Sequence, residues 1–564
     1  MAAGRPVDPQ RTLFRPGSVS KLFTWTAVMQ QVEAGKLDLD QDVNRYLDFE
    51  IPPRDGKPIT LRHIMTHTAG FEESVRYLIS RDPDALMPLA EYARIALPER
   101  VFAPGTTPAY SNYATALAAC IVERVSGMSF DDYVADKIFA PLDMQSSTFR
   151  QPLPGRLRDQ MSKGYMAIGQ DPSPFEIVIP APAGSLSASG ADMGRFMIAH
   201  LQNGGPLLEP STAAQMHNYR APNIAPLNTM ALGFYEQRLG NTRAIAHGGD
   251  TEAFHSYLWL FPEYDTGLYI SMNSPGKAGA AQAIRAALGH RFAERYFPST
   301  RDDQPVDPQI AAEHARMLAG SYTMSRGAFT NFLSLLQLLG PNEVVVDADG
   351  RIALPSLDNL SAGARDWVEI EPFVWRDTVT GERVAAQVED GRVIRFSIDT
   401  ISPFTVLYRT PTGADPAWLI PSLIAALAIV VLAALAWPVR AIVRRRFAAD
   451  FALSGRSLLA YRLSRAFSWL VLLAVAGWAA MIIVFSSDIG AIGGPLDWLI
   501  QLLRTLTPLA SVGLLVTSAW HLLGTIRDGR RWTMRLGAVL LVLAALILTW
   551  ITFRFHLYGY GLVY

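Results

Sequence analysis

The stretch "FRPGSVSKLFTWTAVMQQVEAGKLDLD", residues 14–40, decides the fold of the first part of this chain. Its apolar side chains recur at helical spacing, and the Ala-Gly pair that follows them is typical of a helix end. The pattern predicts a helix over 18–34 whose first turn holds Ser18 and Lys21. Side chains three residues apart share one helix face, so the amine can reach the hydroxyl. Free backbone N–H groups of that turn also favour developing negative charge.

A Ser-x-x-Lys pair specifies only two positions, and a chain of this length contains about one such pair by chance. A second copy is present at Ser274 and Lys277. It lies in a Pro-Gly loop after an apolar run, where nothing fixes a helical face. We interpret the second copy as non-functional, and the first needs support from other residues.

Length and charge bound the function. The chain has 564 residues, which exceeds a single hydrophobic core and predicts several domains. Its net charge of −1 argues against a protein that binds nucleic acid. The single cysteine, Cys120, lies in an apolar run and permits no internal disulfide, so we interpret it as a core residue.

The C-terminal part has the composition of a membrane domain. Four segments without a charged residue are long enough to cross a lipid bilayer, and buried soluble helices would hardly mimic all four. We therefore predict a membrane domain over 411–564, with spans near 417–438, 466–487, 505–526 and 536–554.

Arginines predict the orientation of these spans. They crowd the loop between the first two spans, where Asp450 is the only acid, and also the loop between the last two. Both loops should face the cytoplasm. The part of the chain before Trp418 and the short link that begins at Asp488 should therefore lie outside the cytoplasm. A translocated domain needs an export signal, and residues 1–16 contain no such apolar stretch. We expect the chain as written to be truncated at its start.

Residues 1–297 mix helical patterns with strand-like runs that cluster late and are followed by a helix at 277–297. This order predicts an α+β domain with an antiparallel sheet flanked by helices. A Pro-rich and charged linker follows at 298–310. Residues 311–410 alternate in the manner of strands and should form a small all-β barrel or sandwich. Within them, the apolar segment 328–339 is either a lid or a membrane-facing helix.

Two histidines suggest a different interpretation. His63 and His67 stand four residues apart on a helical pattern, which is the spacing of a zinc pair. Ile64 stands where a metalloprotease has glutamate. We interpret both histidines as structural and expect neither metal nor cofactor.

Two later stretches offer partners for the Ser/Lys pair, which needs a second proton handler and an oxyanion site. "PGTTPAYSNYATAL" places Tyr110 and Asn112 in a loop just before a helix. "IAHGGDTEAFHSYLWLF" places His247, Gly248 and Gly249 on a strand, where glycines allow a substrate backbone to approach closely.

Taken in this order, the Ser-x-x-Lys, Tyr-Ser-Asn and His-Gly-Gly motifs resemble the three signatures of serine β-lactamase-like and penicillin-binding hydrolases. The group of class C β-lactamases, D-aminopeptidases and carboxylesterases is the most similar. "LRHIMTHTAGFEE" and "PAPAGSLSASGADMGRFM" share the family's pattern, so the resemblance covers roughly 7–297.

The resemblance implies a role for each residue. Ser18 would attack a carbonyl and become acylated, and Lys21, with its pKa lowered by an apolar helix, would take the serine proton. Tyr110 would relay a proton to the leaving group, and Asn112 would hold the acyl side chain. The backbone N–H groups of Ser18 and Asp250 would form the oxyanion hole.

The chain departs from the family pattern in two places. β-Lactamases usually have lysine where His247 stands, and a mostly neutral imidazole makes peptide or ester cleavage a better expectation than efficient penicillin hydrolysis. Asp250 would favour an amine-bearing substrate unless it is only a turn acid. Such folds also place a helix and two strands before the serine, but only residues 1–17 precede Ser18. We expect the first strands of the sheet to be missing, which would leave an open edge.

These observations predict a membrane-anchored serine hydrolase of the bacterial cytoplasmic membrane, multi-pass, with its catalytic domain outside. It should act through an acyl-enzyme on a D-amino-acid or peptidoglycan-like peptide or on an ester, with the lipid bilayer as its other partner. One alternative is a β-lactamase. Another is a membrane receptor that is acylated by cell-wall fragments or β-lactams without turnover, although the short cytoplasmic loops contain no recognisable effector domain.

Overall fold

The structure is a computed structural model that describes residues 6–167, 169–298, 303–360, 365–448, 451, 453–487, 491–492 and 494–564. It separates into two compact units. The first comprises Met1–Gly327 and Asn342–Arg409, and the second comprises Ala328–Pro341 and Thr410–Tyr564.

Among the described residues, ten helices belong to the first unit. They are α1 (Lys21–Glu33), α2 (Leu61–Met65), α3 (Leu89–Ile95), α4 (Asn112–Ser126), α5 (Phe130–Val134), α6 (Gly155–Arg158), α7 (Gly190–Leu201), α8 (Pro210–Asn218), α9 (Ala280–Tyr296) and α10 (Pro308–Leu318). Helix α5 continues as a π-helical turn, Ala135–Phe139, and α4 ends at Gly127 with a left-handed φ of 72°. Helices α1 and α9 lie close to the predicted ranges 18–34 and 277–297.

Helix α1 lies in the middle of the main hydrophobic core. Ten of its thirteen residues are buried, and the ring of Phe23 stacks on that of Phe196 with centroids 4.0 Å apart. Cys120, in the neighbouring helix α4, is buried in the same core as predicted. Because α1 is enclosed on nearly all sides, the turn at its start is held firmly in place.

The main sheet of the α+β part is antiparallel and has its strands in sequence order. Short strands of two or three residues precede it, namely β1 (Leu13–Phe14), β2 (Ile79–Ser80), β3 (Ser147–Thr148), β4 (Ile177–Val178) and β5 (Ser187–Ser189). The sheet itself consists of β6 (Tyr235–Leu239), β7 (Thr242–Asp250), β8 (His255–Phe261) and β9 (Thr266–Met272). The sequence patterns predict β7, β8 and β9; β6 is an additional strand. The predicted α+β class is confirmed.

A second antiparallel sheet has eight strands and nearly closes into a barrel, as the sequence predicts. They are β10 (Gly320–Met324), β11 (Asn342–Val346), β12 (Ile352–Ala353), β13 (Trp367–Glu371), β14 (Val374–Asp377), β15 (Arg383–Glu389), β16 (Arg392–Ile398) and β17 (Leu407–Arg409). Their order is β12-β11-β10-β17-β16-β15-β14-β13. Asp390 and Gly391 both have positive φ in the β15–β16 turn, which is what a tight two-residue hairpin requires.

The compact units do not follow the predicted domain boundaries. The regions 1–297 and 311–410 largely fall in one unit, and the proposed linker 298–310 overlaps helix α10. Residues 299–302 of that linker lie outside the described residues. Treating 1–297 and 311–410 as separate domains stays a prediction.

The second unit is helical. Besides α11 (Leu335–Leu339) it contains α12 (Pro416–Arg446), α13 (Gly455–Ser487), α14 (Asp497–Arg527) and α15 (Trp532–Arg554). The four long helices are long and apolar enough to cross a membrane. Segment 328–339 groups with them, and the Phe332 ring lies 5.2 Å from that of Trp478. Asp450 and Asp488, used to predict orientation, lie outside the described residues.

Candidate active site

The serine and lysine of the first motif lie together at the start of α1. Ser18 lies in a 3-10 turn, Gly17–Ser20, and Lys21 is the first residue of the α-helix. The prediction of one α-helical turn for both residues is therefore wrong in detail. In a 3-10 turn the side chains at i and i+3 eclipse each other, which brings the two groups together more directly. Lys21 Nζ lies 3.1 Å from Ser18 Oγ.

The amine of Lys21 is fully buried and has two further partners. Nζ donates to Asn112 Oδ1 at 2.8 Å and to the Ala183 carbonyl oxygen at 2.7 Å. Burial lowers the pKa of Lys21 well below its usual value, and the positive charge of Arg326 lowers it further. A neutral amine has two N–H donors and one lone pair. Its two donors are taken by these oxygens, which leaves the lone pair for the Ser18 hydroxyl.

Tyr110 lies in the loop just before α4, as predicted. Ser111 caps that helix, since its side chain accepts a hydrogen bond from the backbone of the first turn at 3.1 Å. The Tyr110 ring centroid is 4.8 Å from Lys21 Nζ. Within the described residues the Tyr110 hydroxyl makes no hydrogen bond of normal geometry. The side chains of Ser18 and Tyr235 nevertheless lie close enough to this hydroxyl to influence its pKa. Burial has the largest effect and raises the pKa of Tyr110 above its ordinary value.

His247 is close to this group but does not line the cavity described below. Its side chain is fully buried in β7, where the ring stacks on Tyr235 with centroids 4.2 Å apart. Nδ1 lies 2.6 Å from the Gly248 carbonyl oxygen, which defines it as the protonated nitrogen. Burial, followed by the charge of Lys21, lowers the pKa of His247 to about 3. The imidazole is therefore neutral at pH 7, as expected from the sequence, and it is buried beside Tyr235 rather than exposed in the cavity.

Two glycines let β7 pack directly against the backbone of the serine turn. A Cβ on Gly249 would lie 2.0 Å from the Pro16 carbonyl oxygen and 2.8 Å from the Ser18 nitrogen. Gly17 has φ of +56°, and a Cβ there would lie 2.7 Å from the Asp250 nitrogen. Both nitrogens of the predicted oxyanion hole thus lie at this close backbone contact.

The carboxylate of Asp250 has partners of its own at the end of β7. His255 Nδ1 lies 2.7 Å from Oδ1, and Arg285 Nη2 lies 2.9 Å from the same oxygen. Burial would raise the pKa of Asp250, but the His255 hydrogen bond and the Arg285 charge outweigh it and lower the pKa. Asp250 is the last residue of β7 and forms an ion pair there, and its two interpretations, an amine-binding residue and a turn acid, both stay predictions.

A cavity of about 430 Å³ opens beside Ser18. Six of the eight residues that the sequence motifs indicate line it; Lys21 and His247 lie behind its wall. The six are Ser18, Tyr110, Asn112, Gly248, Gly249 and Asp250.

The cavity also has residues that the motifs do not indicate. Tyr235 comes from β6, whereas Arg326 and Phe404 come from the eight-stranded sheet and its connections. The Phe404 ring lies 4.7 Å from that of Tyr235, and its carbonyl oxygen accepts a hydrogen bond from the Tyr110 nitrogen at 3.0 Å. No local pattern distinguishes these residues, because only the tertiary fold brings them to Ser18.

The two histidines of the zinc-like pair have separate surroundings. His63 accepts a hydrogen bond from the Thr60 nitrogen in a capping box at the start of α2. His67 is buried and its ring lies 4.3 Å from that of Tyr110. Burial lowers the pKa of His67 well below its usual value. The ring of His67 packs against that of Tyr110 and helps to hold the tyrosine in position.

Comparison with known proteins adds independent information. A family model described as Beta-lactamase matches residues 1–291. The chain is 27% identical over 341 residues to Penicillin-binding protein 4 of Amycolatopsis lactamdurans, which covers 56% of this chain and 86% of that protein. It is 26% identical over 206 residues to the D-alanyl-D-alanine-carboxypeptidase/endopeptidase AmpH of Escherichia coli K12, covering 36% of this chain and 52% of that protein.

A solved structure, the class C beta lactamase from Rhodobacter sphaeroides, aligns with a TM-score of 0.42 at 22% identity. That alignment covers 52% of this chain and 89% of the other. The chain therefore spans most of Penicillin-binding protein 4 and about half of AmpH.

Proposed function

Because this chain belongs to the beta-lactamase family, we propose that it cleaves a D-amino-acid peptide, a peptidoglycan-like peptide or an ester through an acyl group on Ser18. It is a serine hydrolase of the beta-lactamase and penicillin-binding protein type. Its four apolar helices suggest that it is anchored in a membrane. The residue roles and the substrate class below are part of the proposal.

The contact between Lys21 and Ser18 is the observation that supports the proposal most directly. A buried amine with a lowered pKa lies 3.1 Å from the hydroxyl, and its two N–H groups are already directed to Asn112 and Ala183. An amine held neutral in this way is a base at neutral pH rather than a surface cation. A structural lysine would gain more from an acidic partner than from a serine.

The proposed acylation begins when Ser18 Oγ attacks the substrate carbonyl carbon while its proton moves to Lys21 Nζ. The carbonyl oxygen gains negative charge, which the backbone N–H groups of Ser18 and Asp250 stabilise. The bond from the carbonyl carbon to the leaving nitrogen or oxygen then breaks. Tyr110 passes the proton held by Lys21 to the leaving group, which departs neutral.

Deacylation uses water as the second nucleophile. Water attacks the acyl carbon and gives one proton to the base formed by Lys21 and Tyr110. The ester bond to Ser18 Oγ then breaks. Oγ regains a proton, so one acid is released and the enzyme returns to its starting state. The overall reaction consumes one water per bond cleaved.

Two considerations support a peptide substrate over penicillin. The name of AmpH gives D-alanyl-D-alanine-carboxypeptidase activity for that relative, and the chain aligns with about half of it. His247 stands where β-lactamases usually have lysine, and burial lowers its pKa to about 3, so at neutral pH this position carries no positive charge and the chain departs from the β-lactamase pattern. We therefore favour a D-amino-acid peptide, with β-lactam turnover as the alternative.

The proposed location follows from charge. Arginines are concentrated in the α12–α13 and α14–α15 connections. Examples are Arg444–Arg446 at the end of α12 and Arg530–Arg531 before α15. The excess of arginine predicts that these ends face the cytoplasm. The part of the chain before α12 would then lie outside the cytoplasm, where peptidoglycan is found.

A covalent label tests the nucleophile. The purified full chain is treated with a fluorescent fluorophosphonate and, separately, with a fluorescent penicillin. We expect wild-type protein to be labelled and Ser18→Ala to lose the label entirely, because the attacking oxygen is gone. Ser274→Ala is the matched control, since it belongs to the second Ser-x-x-Lys copy and should be labelled as wild type is. Equal labelling of Ser18→Ala would contradict the proposal.

The lifetime of the penicillin label separates the alternatives. Release within seconds to minutes favours a β-lactamase, whereas an acyl group that persists for hours without peptide turnover favours a receptor. The proposed peptidase should cleave members of a D-amino-acid peptide panel, with activity lost in Ser18→Ala and kept in Ser274→Ala.

A further inference from the structure

Arg326 places a guanidinium group in the wall of the cavity that contains Ser18. It follows strand β10 after one residue and therefore comes from the eight-stranded sheet. Its carbon Cζ lies 4.6 Å from the ring centroid of Tyr110, and Nε donates to Glu73 Oε2 at 2.6 Å. The side chain of Arg326 is 41% exposed, whereas that of Glu73 is 13% exposed. The cation is thus fixed in orientation but open on one side.

The other two charged side chains of the cavity wall form an ion pair with each other. Within the described part of the chain, the charged side chains that line the cavity are Asp250, Arg285 and Arg326. Asp250 and Arg285 pair with each other at 2.9 Å, and Arg285 is almost fully buried, donating to the carbonyl oxygens of Gly249 and Ser256. The hydrogen bond to Glu73 uses only Nε of Arg326 among the described residues, so its two terminal amino groups remain for a ligand.

We propose that Arg326 binds the free terminal carboxylate of the substrate and so selects peptides that are cleaved next to their C-terminus. The inference rests on the proposed function, since it assigns one end of the substrate of the Ser18 site. Guanidinium and carboxylate are both planar and form two parallel hydrogen bonds, which gives direction as well as strength.

The surroundings of Arg326 pre-organise it for this contact. Glu73 holds one edge of the guanidinium plane, and the face of Tyr110 holds one side of it. An arginine restrained in this way loses little conformational entropy when a ligand binds. The charge of Arg326 is also near enough to Lys21 to contribute to the lowered pKa of that amine, so the guanidinium lies close to the proposed reacting groups.

The position also explains why the eight-stranded sheet matters for this site. The segment before β17 supplies Phe404, whose backbone is hydrogen-bonded to Tyr110, so Arg326 and the tyrosine are held in one frame. A carboxylate fixed there limits how much of the substrate can extend past the bond that is cleaved. The cavity of about 430 Å³ has room for a short peptide end.

A matched pair of substrates tests the assignment in the full chain. One is a peptide ending in D-alanyl-D-alanine with a free carboxylate, and the other is the same peptide as its C-terminal carboxamide. We expect wild-type kcat/KM to be at least about tenfold higher for the acid. Arg326→Gln should lower kcat/KM for the acid by about 30-fold or more and for the amide by less than about threefold, which removes the preference.

Two further variants separate recognition from a structural role. Glu73→Gln removes the negative charge but keeps an oxygen that can accept the hydrogen bond from Nε, so the guanidinium stays oriented and the preference for the acid should be kept or increased. Arg351→Gln removes an exposed arginine of the same sheet, 52% exposed in its side chain, and should change nothing. If Glu73→Gln and Arg326→Gln lost the preference equally, the ion pair would matter only for structure and the proposal would be overturned.

Fluorophosphonate labelling of Ser18 keeps the two proposals distinguishable. Absence of labelling in wild-type protein would count against the proposed function itself. Normal labelling in wild type and Arg326→Gln, together with an unchanged ratio of acid to amide cleavage, would overturn only the role of Arg326. That role would also be overturned if labelled wild-type protein failed to prefer the acid or cleaved neither peptide.

Discussion

At Lys21 the proposed catalytic role and the stability of the folded state oppose each other. Its amine is fully buried with oxygen partners but makes no ion pair among the described residues. Burial therefore favours the neutral form, which is the form able to accept the Ser18 proton. Transfer of an amine from water into the core lowers the stability of the folded state, and this cost accompanies the gain of a base at neutral pH.

Replacing Lys21 by methionine tests both effects. Lys21→Met keeps an unbranched side chain and removes the amine, so the rate of Ser18 labelling should fall by about 10²- to 10⁴-fold. In wild-type protein, labelling should become faster as pH rises through the lowered pKa of Lys21. Lys36→Met, at an exposed lysine after α1, is the control and should label normally.

The same variant should be more stable than wild type, and the difference should depend on pH. The unfolded chain holds the Lys21 proton up to about the ordinary pKa of 10.5, whereas the folded chain releases it at lower pH. Between these values the unfolded state binds more protons, so wild-type stability rises with pH. Thermal unfolding should show the largest advantage of Lys21→Met at low pH and a narrowing gap towards pH 10.5. A constant gap would contradict the shift.

At the scale of elements, the contact between β7 and the Gly17–Ser20 turn defines the site. A strand and a 3-10 turn approach backbone to backbone only where no side chain intervenes, and Gly249 provides that space. The backbone nitrogens of Ser18 and Asp250 both lie at this contact. Close packing of the strand on the turn therefore requires glycine at position 249, which is also part of the His-Gly-Gly motif.

Substitution of Gly249 should damage the site far more than the fold. In Gly249→Ala, the new Cβ would meet the Pro16 carbonyl oxygen at 2.0 Å, so the turn and the strand must move apart. We expect Ser18 labelling to slow by about 10²-fold or more, similar to the loss of one oxyanion donor. Circular dichroism should report unchanged secondary structure.

Gly194 provides the matched control for that substitution. It lies inside α7, and a Cβ there meets nothing within 4 Å. Gly194→Ala should keep normal labelling and raise the free energy of unfolding by about 0.5–1 kcal/mol, because alanine loses less backbone entropy in a helix. Normal labelling of Gly249→Ala would show that the close contact is not needed.

At the scale of the whole molecule, the four apolar helices make a prediction about sides of a membrane. If all four helices cross the membrane, the segments before α12 and after α15 lie on the same side. The arginines at the α12–α13 and α14–α15 connections predict that these connections are cytoplasmic. The Ser18 site would then face the opposite compartment.

Cysteine labelling checks this orientation, because Cys120 is buried and should react little. Thr412→Cys, before α12, should react with a membrane-impermeant maleimide in intact spheroplasts. Arg531→Cys, at the start of α15, should react only after the membrane is permeabilised. The reverse pattern would place the hydrolase unit in the cytoplasm and contradict the proposed location.

The sequence by itself determined features that depend on neighbouring residues. Hydrophobic periodicity predicted helix α1, the β7–β9 strands and the four apolar helices. The Ser18 and Lys21 pair was also predictable, because three residues of spacing bring side chains together in either an α-helical or a 3-10 turn. The sequence also indicated Tyr110, Asn112 and the glycines as partners of this pair, and the family resemblance added the roles expected of them.

Only the tertiary structure decided which side chains complete the cavity. Arg326 and Phe404 lie more than two hundred positions from Tyr110 along the chain, and their approach depends on how the eight-stranded sheet packs. The tertiary structure also buried His247 against Tyr235, where burial keeps it neutral. Local sequence fixes local geometry, but the direction of a side chain and its distant neighbours follow from packing of the whole core.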